Sequence, residues 1–235
     1  MKPVLTSDPN SPRLSPGTDL SRSKVLVFDM DGVLLDSNHL RDEAFVHIFA
    51  TIGCEDREQV LAIHRNNRGL YRQDKISLIT EQIFGSPPSF EVLDRLLQLF
   101  SQYVRERILS CPLFPGVMEF LEAQVRRDLF VVSAAQHEEV RWVAESLDLS
   151  RFFRGIYGGP TKKTDWLRKI MLANAYNSLE VTFVGEQVSD YQAAREVEVN
   201  FVAMVPGQEE HSFPASVLCV NNFHDLSLIL TEARA

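Results

Sequence analysis

From Leu129 onward the chain alternates short apolar, β-rich runs with helical patterns, and this alternation most narrows the folds open to it. "LFVVSA", a weaker "GIYGG", "VTFVGE", "NFVAMV" and "SVLCV" read as strands. "HEEVRWVAESL", "KTDWLRKIMLANA" and "SDYQAAREVE" read as the helices between them. Such strands need cover on both faces, which a parallel sheet with helical crossovers supplies. Right-handed crossovers make that sheet doubly wound. "VLVF", at 25–28, is a further strand of the same type upstream.

Between that first strand and Leu129 the pattern is helical. "NHLRDEAFVHIFATIG", "EQVLAIHRNN", "QDKISLITEQIF" and "SFEVLDRLLQLFSQYVRERIL" are separated by "RGLYR" and "GSPP", with no convincing strand among them. "PLFPGVMEFLEAQVRR" then opens with Pro115-Gly116 and continues as an amphipathic helix. The expected class is α/β: a doubly wound, Rossmann-like parallel sheet formed by 24–37 and 111–235, with an α-helical cap inserted at 38–110. Residues 1–23, rich in Pro, Ser and Asp with no apolar period, read as a flexible leader. A chain of 235 residues, 45% of them hydrophobic, suffices for this arrangement.

The net charge of -8 argues against a general nucleic-acid binder, which usually shows a basic face. Cys54, Cys111 and Cys219 are far apart and odd in number, so they suggest neither a zinc site nor a disulfide framework. A reducing, cytoplasmic setting is expected. No run approaches the roughly 18 apolar residues of a membrane span, and the N-terminus has no secretory core. Oligomeric state is not legible.

"VLVFDMDGVLLDS" carries the chemistry. An apolar strand ends in Asp29 and Asp31, and charges there are expensive unless paired, solvated or bound to metal. Ligands of doubly wound sheets collect at the carboxyl ends of the strands. The same edge receives Ser133 after "LFVVS", Lys163 at a helix start, and Glu186 with Asp190 after "VTFVG". Acids, a hydroxyl and a lysine together suit a metal-assisted phosphate site. The acids supply hard oxygen ligands for Mg²⁺, the hydroxyl and lysine bind the anion, and one carboxylate attacks it.

In this order the segments resemble the motifs of the haloacid dehalogenase-like hydrolase superfamily: "FDMDGVLLDS", "VVSAA", "GGPTKK" and "FVGEQVSDYQAA". "LFPGVMEFLEAQ" is similar to the segment that re-enters the core after a helical cap. The phosphoglycolate phosphatase-like group is the nearest in pattern. The resemblance implies a Mg²⁺-dependent phosphatase that hydrolyses a small phosphorylated metabolite, phosphoglycolate-like or a sugar phosphate. Asp29 would be the nucleophile and Asp31 the general acid, then base. Ser133 and backbone N–H groups such as that of Ala134 would bind phosphoryl oxygens, and Lys163 would neutralise charge. Asp29, Asp31 through its carbonyl, Glu186 and Asp190 would hold the metal. Gly32 would permit a sharp turn beside the ligand. No nucleic-acid or membrane partner is implied.

Two features sit outside the family pattern or its motifs. The fourth motif carries Gly185-Glu186 where Gly-Asp is usual, with Gln187 following. In "NNRGLYRQDK", Arg68, Arg72 and Lys75 are placed to face a substrate, and Arg72 is the candidate for phosphate or carboxylate recognition. Asp36 and Ser37 are expected to cap the first helix of the insertion. The alternatives are a phosphomutase on the same scaffold, or a catalytically weak member acting as a binding or regulatory protein.

Overall fold

The computed structural model describes residues 20–207 and 212–232. Six described strands form one parallel sheet: β1 (Val25–Phe28), β2 (Asp128–Gln136), β3 (Gly155–Gly159), β4 (Val181–Gly185), β5 (Asn200–Met204) and β6 (Leu218–Val220). Their order is β3-β2-β1-β4-β5-β6. Every residue of β1, β4 and β5 is buried, which is why these strands read as unbroken apolar runs rather than as an alternation.

Successive side chains nevertheless go to opposite faces. Leu26, Phe28, Val131, Val184 and Val202 join one apolar cluster, and Val25, Val27, Phe130, Val132, Phe183 and Phe201 join the other. The first cluster is covered by α5 (Val117–Ala123), α6 (His137–Ser146) and α9 (Phe223–Glu232). The second is covered by α7 (Lys163–Asn174) and α8 (Val188–Glu196). The sheet is thus doubly wound, as expected from the alternation.

Between β1 and β2 lie α1 (Asn38–Ala50), α2 (Arg57–Asn66), α3 (Arg72–Phe84) and α4 (Phe90–Arg107). Phe45, Phe49, Ile76, Ile79, Leu96 and Phe100 are buried among them. Asp56 and Ser89 cap α2 and α4 by accepting from Gln59 and Val92 N–H, satisfying donors that helix starts leave open.

Three features differ from the sequence reading. Helix α5 stops at Ala123 instead of running through "QVRR". Arg127 there turns away to bond the Ser23 and Leu230 carbonyls and the Gln124 side chain, just before β2 begins. Helix α9 had no counterpart in the reading. The expected leader lies mostly outside the described residues, but its last four are anchored. Leu20 is buried in a short 3₁₀ turn, and Ser23 Oγ lies 2.9 Å from Thr182 Oγ1.

Phe28, the last residue of β1, meets Phe120, Phe153 and Phe223 at ring-centroid distances of 6.1, 6.3 and 6.2 Å. Phe28→Ala is expected to lower stability by about 3–5 kcal/mol, the usual scale for emptying a buried aromatic site. Urea unfolding measures this, and an unmoved midpoint would contradict the packing described.

Candidate active site

The register of the sheet assembles the site. Phe28 pairs with Val131 on one side and Val184 on the other, and the Asp29 N–H then donates to the Val184 carbonyl at 3.0 Å. Asp29 therefore leaves β1 between β2 and β4, where the strand order reverses and an open crevice forms. A cavity of about 310 Å³ lies there, lined among others by Asp29, Asp31, Ser133, Ala134, Lys163 and Glu186.

Lys163 is the first residue of α7, where the helix dipole disfavours a cation. Two carboxylates hold it. Its Nζ donates to Asp29 Oδ2 and to Asp190 Oδ1, each at 2.6 Å. Burial opposes its charge, but Asp190 and Asp29 more than compensate and raise its pKa. Asp29 is only 6% exposed. Burial, partly offset by Lys163, pushes its pKa up to about 7, with Asp190 adding to the rise. The Asp29 Oδ1 atom accepts from Met30 N–H at 2.7 Å. Asp190 Oδ2 accepts from the Glu186 and Gln187 N–H groups at 3.2 and 3.1 Å, closing a capping box with Gln187. Lys162, the residue before it, has no part in this bridge.

Asp31 is gripped from the helical block. Arg41, in the first turns of α1, donates Nε to Oδ1 and Nη2 to Oδ2, both at 3.0 Å. Ser37 Oγ donates to Oδ1 at 2.5 Å. Ser37 does occupy the N-cap of α1, but its side chain makes no cap bond; the expected capping role gives way to Asp31. The other end of Arg41 meets Glu139 Oε1 at 2.6 Å, and Arg72 meets Glu139 Oε2 at 2.9 Å. Burial would raise the Glu139 pKa, but Arg41 and Arg72 together lower it. Arg72 does reach the cavity wall, with its guanidinium also bonded to Ser101 Oγ at 3.0 Å and 4.2 Å from the Phe100 ring centroid.

Glu186 lies over Gly32. A Cβ at Gly32 would stand 2.1 Å from the Glu186 carboxyl, and the φ of +74° also favours glycine. The carboxyl accepts from Asn38 Nδ2 at 2.7 Å and Gln187 Nε2 at 2.8 Å. Burial raises its pKa, against those two bonds. Ser133 is buried, and its Oγ accepts from Ala135 N–H at 3.1 Å.

The four expected metal acids are not drawn into one group. Among the described residues, no three or more His, Cys, Asp or Glu are placed together to hold a metal. Asp190 is occupied by Lys163 and backbone donors, and the Asp31 carboxylate by Arg41. Asp29 and Glu186 also have partners, Lys163 and the Met30 N–H on the first and Asn38 and Gln187 on the second, but both line the cavity and burial disfavours both as anions. Two such oxygen donors fit a hard divalent cation that would stabilise their charged forms.

Arg41, Glu139 and Asn38 were not singled out from the sequence. Arg41 left one signal, a cation near a helix N-terminus, where only a local acid makes it favourable. Glu139 left none, since an acid in the first turn of α6 is ordinary.

The family model for haloacid dehalogenase-like hydrolases matches residues 26–204. The chain belongs to this family. The expected class, a phosphatase of the haloacid dehalogenase-like type, agrees with its relatives. A phosphoglycolate phosphatase from Pseudomonas syringae pv. tomato is 30% identical over 197 residues, covering 78% of this chain and 70% of the relative. One from Pseudomonas savastanoi pv. phaseolicola is 29% identical over 194 residues, with the same coverage. The fold is shared with a haloacid dehalogenase-like family hydrolase from Streptococcus pneumoniae, at 20% identity and a TM-score of 0.70, covering 89% of this chain and 99% of that one. CbbY from Rhodobacter sphaeroides, solved in complex with phosphate, shares it at 15% identity and a TM-score of 0.71, covering 87% and 96%.

Glu139→Gln in this haloacid dehalogenase-like hydrolase leaves two arginines without their shared buried carboxylate. A loss of about 3 kcal/mol or more is expected, the scale for breaking a buried ion pair. Denaturant unfolding checks it, and wild-type stability would show that the two arginines do not need Glu139.

Proposed function

We propose that this chain is a Mg²⁺-dependent phosphatase that hydrolyses a small phosphorylated metabolite through an aspartyl-phosphate on Asp29. The observation that carries the reading is the buried Asp29 carboxylate at the cavity, fixed by Lys163 beside Ser133 and Asp31. Asp29 attacks phosphorus, and the bond from phosphorus to the leaving alcohol breaks. Asp31 gives its proton to the leaving oxygen. It then takes a proton from the water that attacks the phosphorus and frees Asp29. The Arg41 fork holds the Asp31 carboxylate in a fixed orientation at the cavity it lines. Lys163 neutralises the attacking carboxylate and the phosphoryl oxygens, and Ser133 with the Ala134 N–H binds those oxygens. Asp190 positions Lys163.

Mg²⁺, held by Asp29, Glu186 and the Asp31 backbone carbonyl, would supply positive charge to the phosphoryl group and keep Asp29 ionised. Residues 38–110 act as a cap over the core. Close approaches across the crevice support this: Tyr71 Oη donates to the Thr161 carbonyl at 3.2 Å, and a Cβ at Gly69 would stand 2.5 Å from Ser189. The relatives favour phosphoglycolate or a similarly small ester as substrate. The free cysteines fit a cytoplasmic location, and no described helix is long and apolar enough to cross a membrane.

Asp29→Asn is expected to fold and to release no measurable phosphate from p-nitrophenyl phosphate or phosphoglycolate. A folded, active variant would remove the nucleophile assignment. Chelation with EDTA should stop turnover and added Mg²⁺ restore it, with Glu186→Ala needing more Mg²⁺ for half activity. Activity indifferent to EDTA would rule out the metal. Asp31→Asn should slow hydrolysis of alkyl phosphates by roughly 10²- to 10⁴-fold, the range of general acid–base catalysis. An aryl phosphate, whose leaving group needs less protonation, should lose less; equal losses would count against the acid role.

A further inference from the structure

The helical wall of the cavity contains two polar groups that the proposed chemistry does not use. Lys75, on α3, is 5% exposed and lines the cavity. The other buried cations there each meet a carboxylate: Arg41 meets Asp31 and Glu139, Arg72 meets Glu139, and Lys163 meets Asp29 and Asp190. Lys75 does not. Its Nζ donates to the Arg68 carbonyl at 3.1 Å and lies 5.3 Å from the Phe45 ring centroid. Burial, then repulsion from Arg68 and Arg41, lowers its pKa to about 7. An acceptor anion placed before it would relieve both effects.

His64, on α2, is 3% exposed and lines the same cavity. Its Nε2 stands 3.0 Å from Asp42 Oδ1, and Asp42 is also held by Arg65 and Arg68. Burial lowers the His64 pKa to about 4, against the pull of Asp42, so the ring is neutral at pH 7. Its single proton then sits on Nε2, facing Asp42, and Nδ1 presents a lone pair. That Nδ1 is buried and has no hydrogen-bond partner. Buried polar atoms of this kind are rare without a reason.

We infer that Lys75 and His64 read the leaving group of the substrate, a phosphate monoester whose alcohol carries both a carboxylate and a further hydroxyl. Lys75 binds the carboxylate, and the hydroxyl donates to His64 Nδ1. The Phe45 ring, stacked on His64 at 4.2 Å, and the Phe100 ring provide the apolar wall beside them. The inference rests on the phosphatase reading and narrows its substrate class. A site built to pair such groups rejects analogues that lack them, because its buried polar groups are then left unpaired.

Values of kcat/KM for four probes test this: 3-phosphoglycerate with carboxylate and hydroxyl, 2-phosphoglycolate with carboxylate only, glycerol 1-phosphate with hydroxyls only, and phenyl phosphate with neither. The wild type should prefer the first. Lys75→Met should lower the ratios of both carboxylate esters to phenyl phosphate at least about tenfold, the effect of one lost charged contact. His64→Gln should lower the ratios for 3-phosphoglycerate and glycerol 1-phosphate and spare that for 2-phosphoglycolate. Thermal melts confirm folding, and Lys75→Gln serves if Lys75→Met does not fold. Ratios that do not move in the Lys75 variants, or that move equally for all esters in His64→Gln, overturn the inference. If no probe yields phosphate, the phosphatase reading fails. Calorimetric binding of the same probes to Asp29→Asn, with and without Lys75→Met, then decides the recognition site by itself: tighter binding of the carboxylate esters that Lys75→Met abolishes supports it, and equal binding of all four overturns it.

Discussion

A single ammonium group, Lys163 Nζ, stands between the carboxylates of Asp29 and Asp190, and the rest of the site is arranged around it. Without that cation two buried acids would face each other across the end of β1 and β4, and at least one would be protonated. With it, Asp29 is held in place at the edge of the sheet, while its desolvation keeps it poised near neutrality. The position of Lys163 depends on α7 following β3, and that of Asp190 on α8 following β4. The winding of the sheet is therefore what brings three distant segments to one charge cluster.

A second chain of hydrogen-bonded side chains, four of them charged, links the core to the helices between β1 and β2: Asp31, Arg41, Glu139, Arg72 and Ser101. Arg41, Arg72 and Ser101 belong to the inserted helices, and Asp31 and Glu139 to the sheet-bearing part. The insertion is thus joined to the core by buried ion pairs at the place where the proposed acid–base residue sits. Such pairs contribute little net stability compared with apolar packing, but their geometry is specific. Here that geometry orients Asp31 toward the cavity it lines.

Much of the fold was legible because period and length suffice for it. The unbroken apolar run of β1 and the helical spacing of α1 to α4 are local signals, whereas the order of the strands rests on long-range pairing and was not read from the sequence. Asp29, Asp31, Ser133, Lys163 and Glu186 were legible as strand-end or helix-start polar residues, and the structure brings them to one cavity. The division of labour among the acids was not legible. Spacing alone does not say that Asp190 turns to Lys163, or that Glu186 rests on Gly32. Arg41, Glu139 and His64 act through partners far away in sequence, and no local pattern marks such pairings. Helix α9, separated from β6 by only two residues, was not legible as a separate element.

The claim on which everything else depends is that Asp29, and not water, makes the first bond to phosphorus. The stereochemical course of hydrolysis tests it directly. A thiophosphate monoester made chiral at phosphorus with oxygen isotopes is hydrolysed in isotopically labelled water, and the configuration of the released thiophosphate is determined. Two successive in-line displacements, by Asp29 and then by water, invert phosphorus twice, so net retention is predicted. Net inversion, the result of one direct attack by water, would contradict the aspartyl-phosphate route.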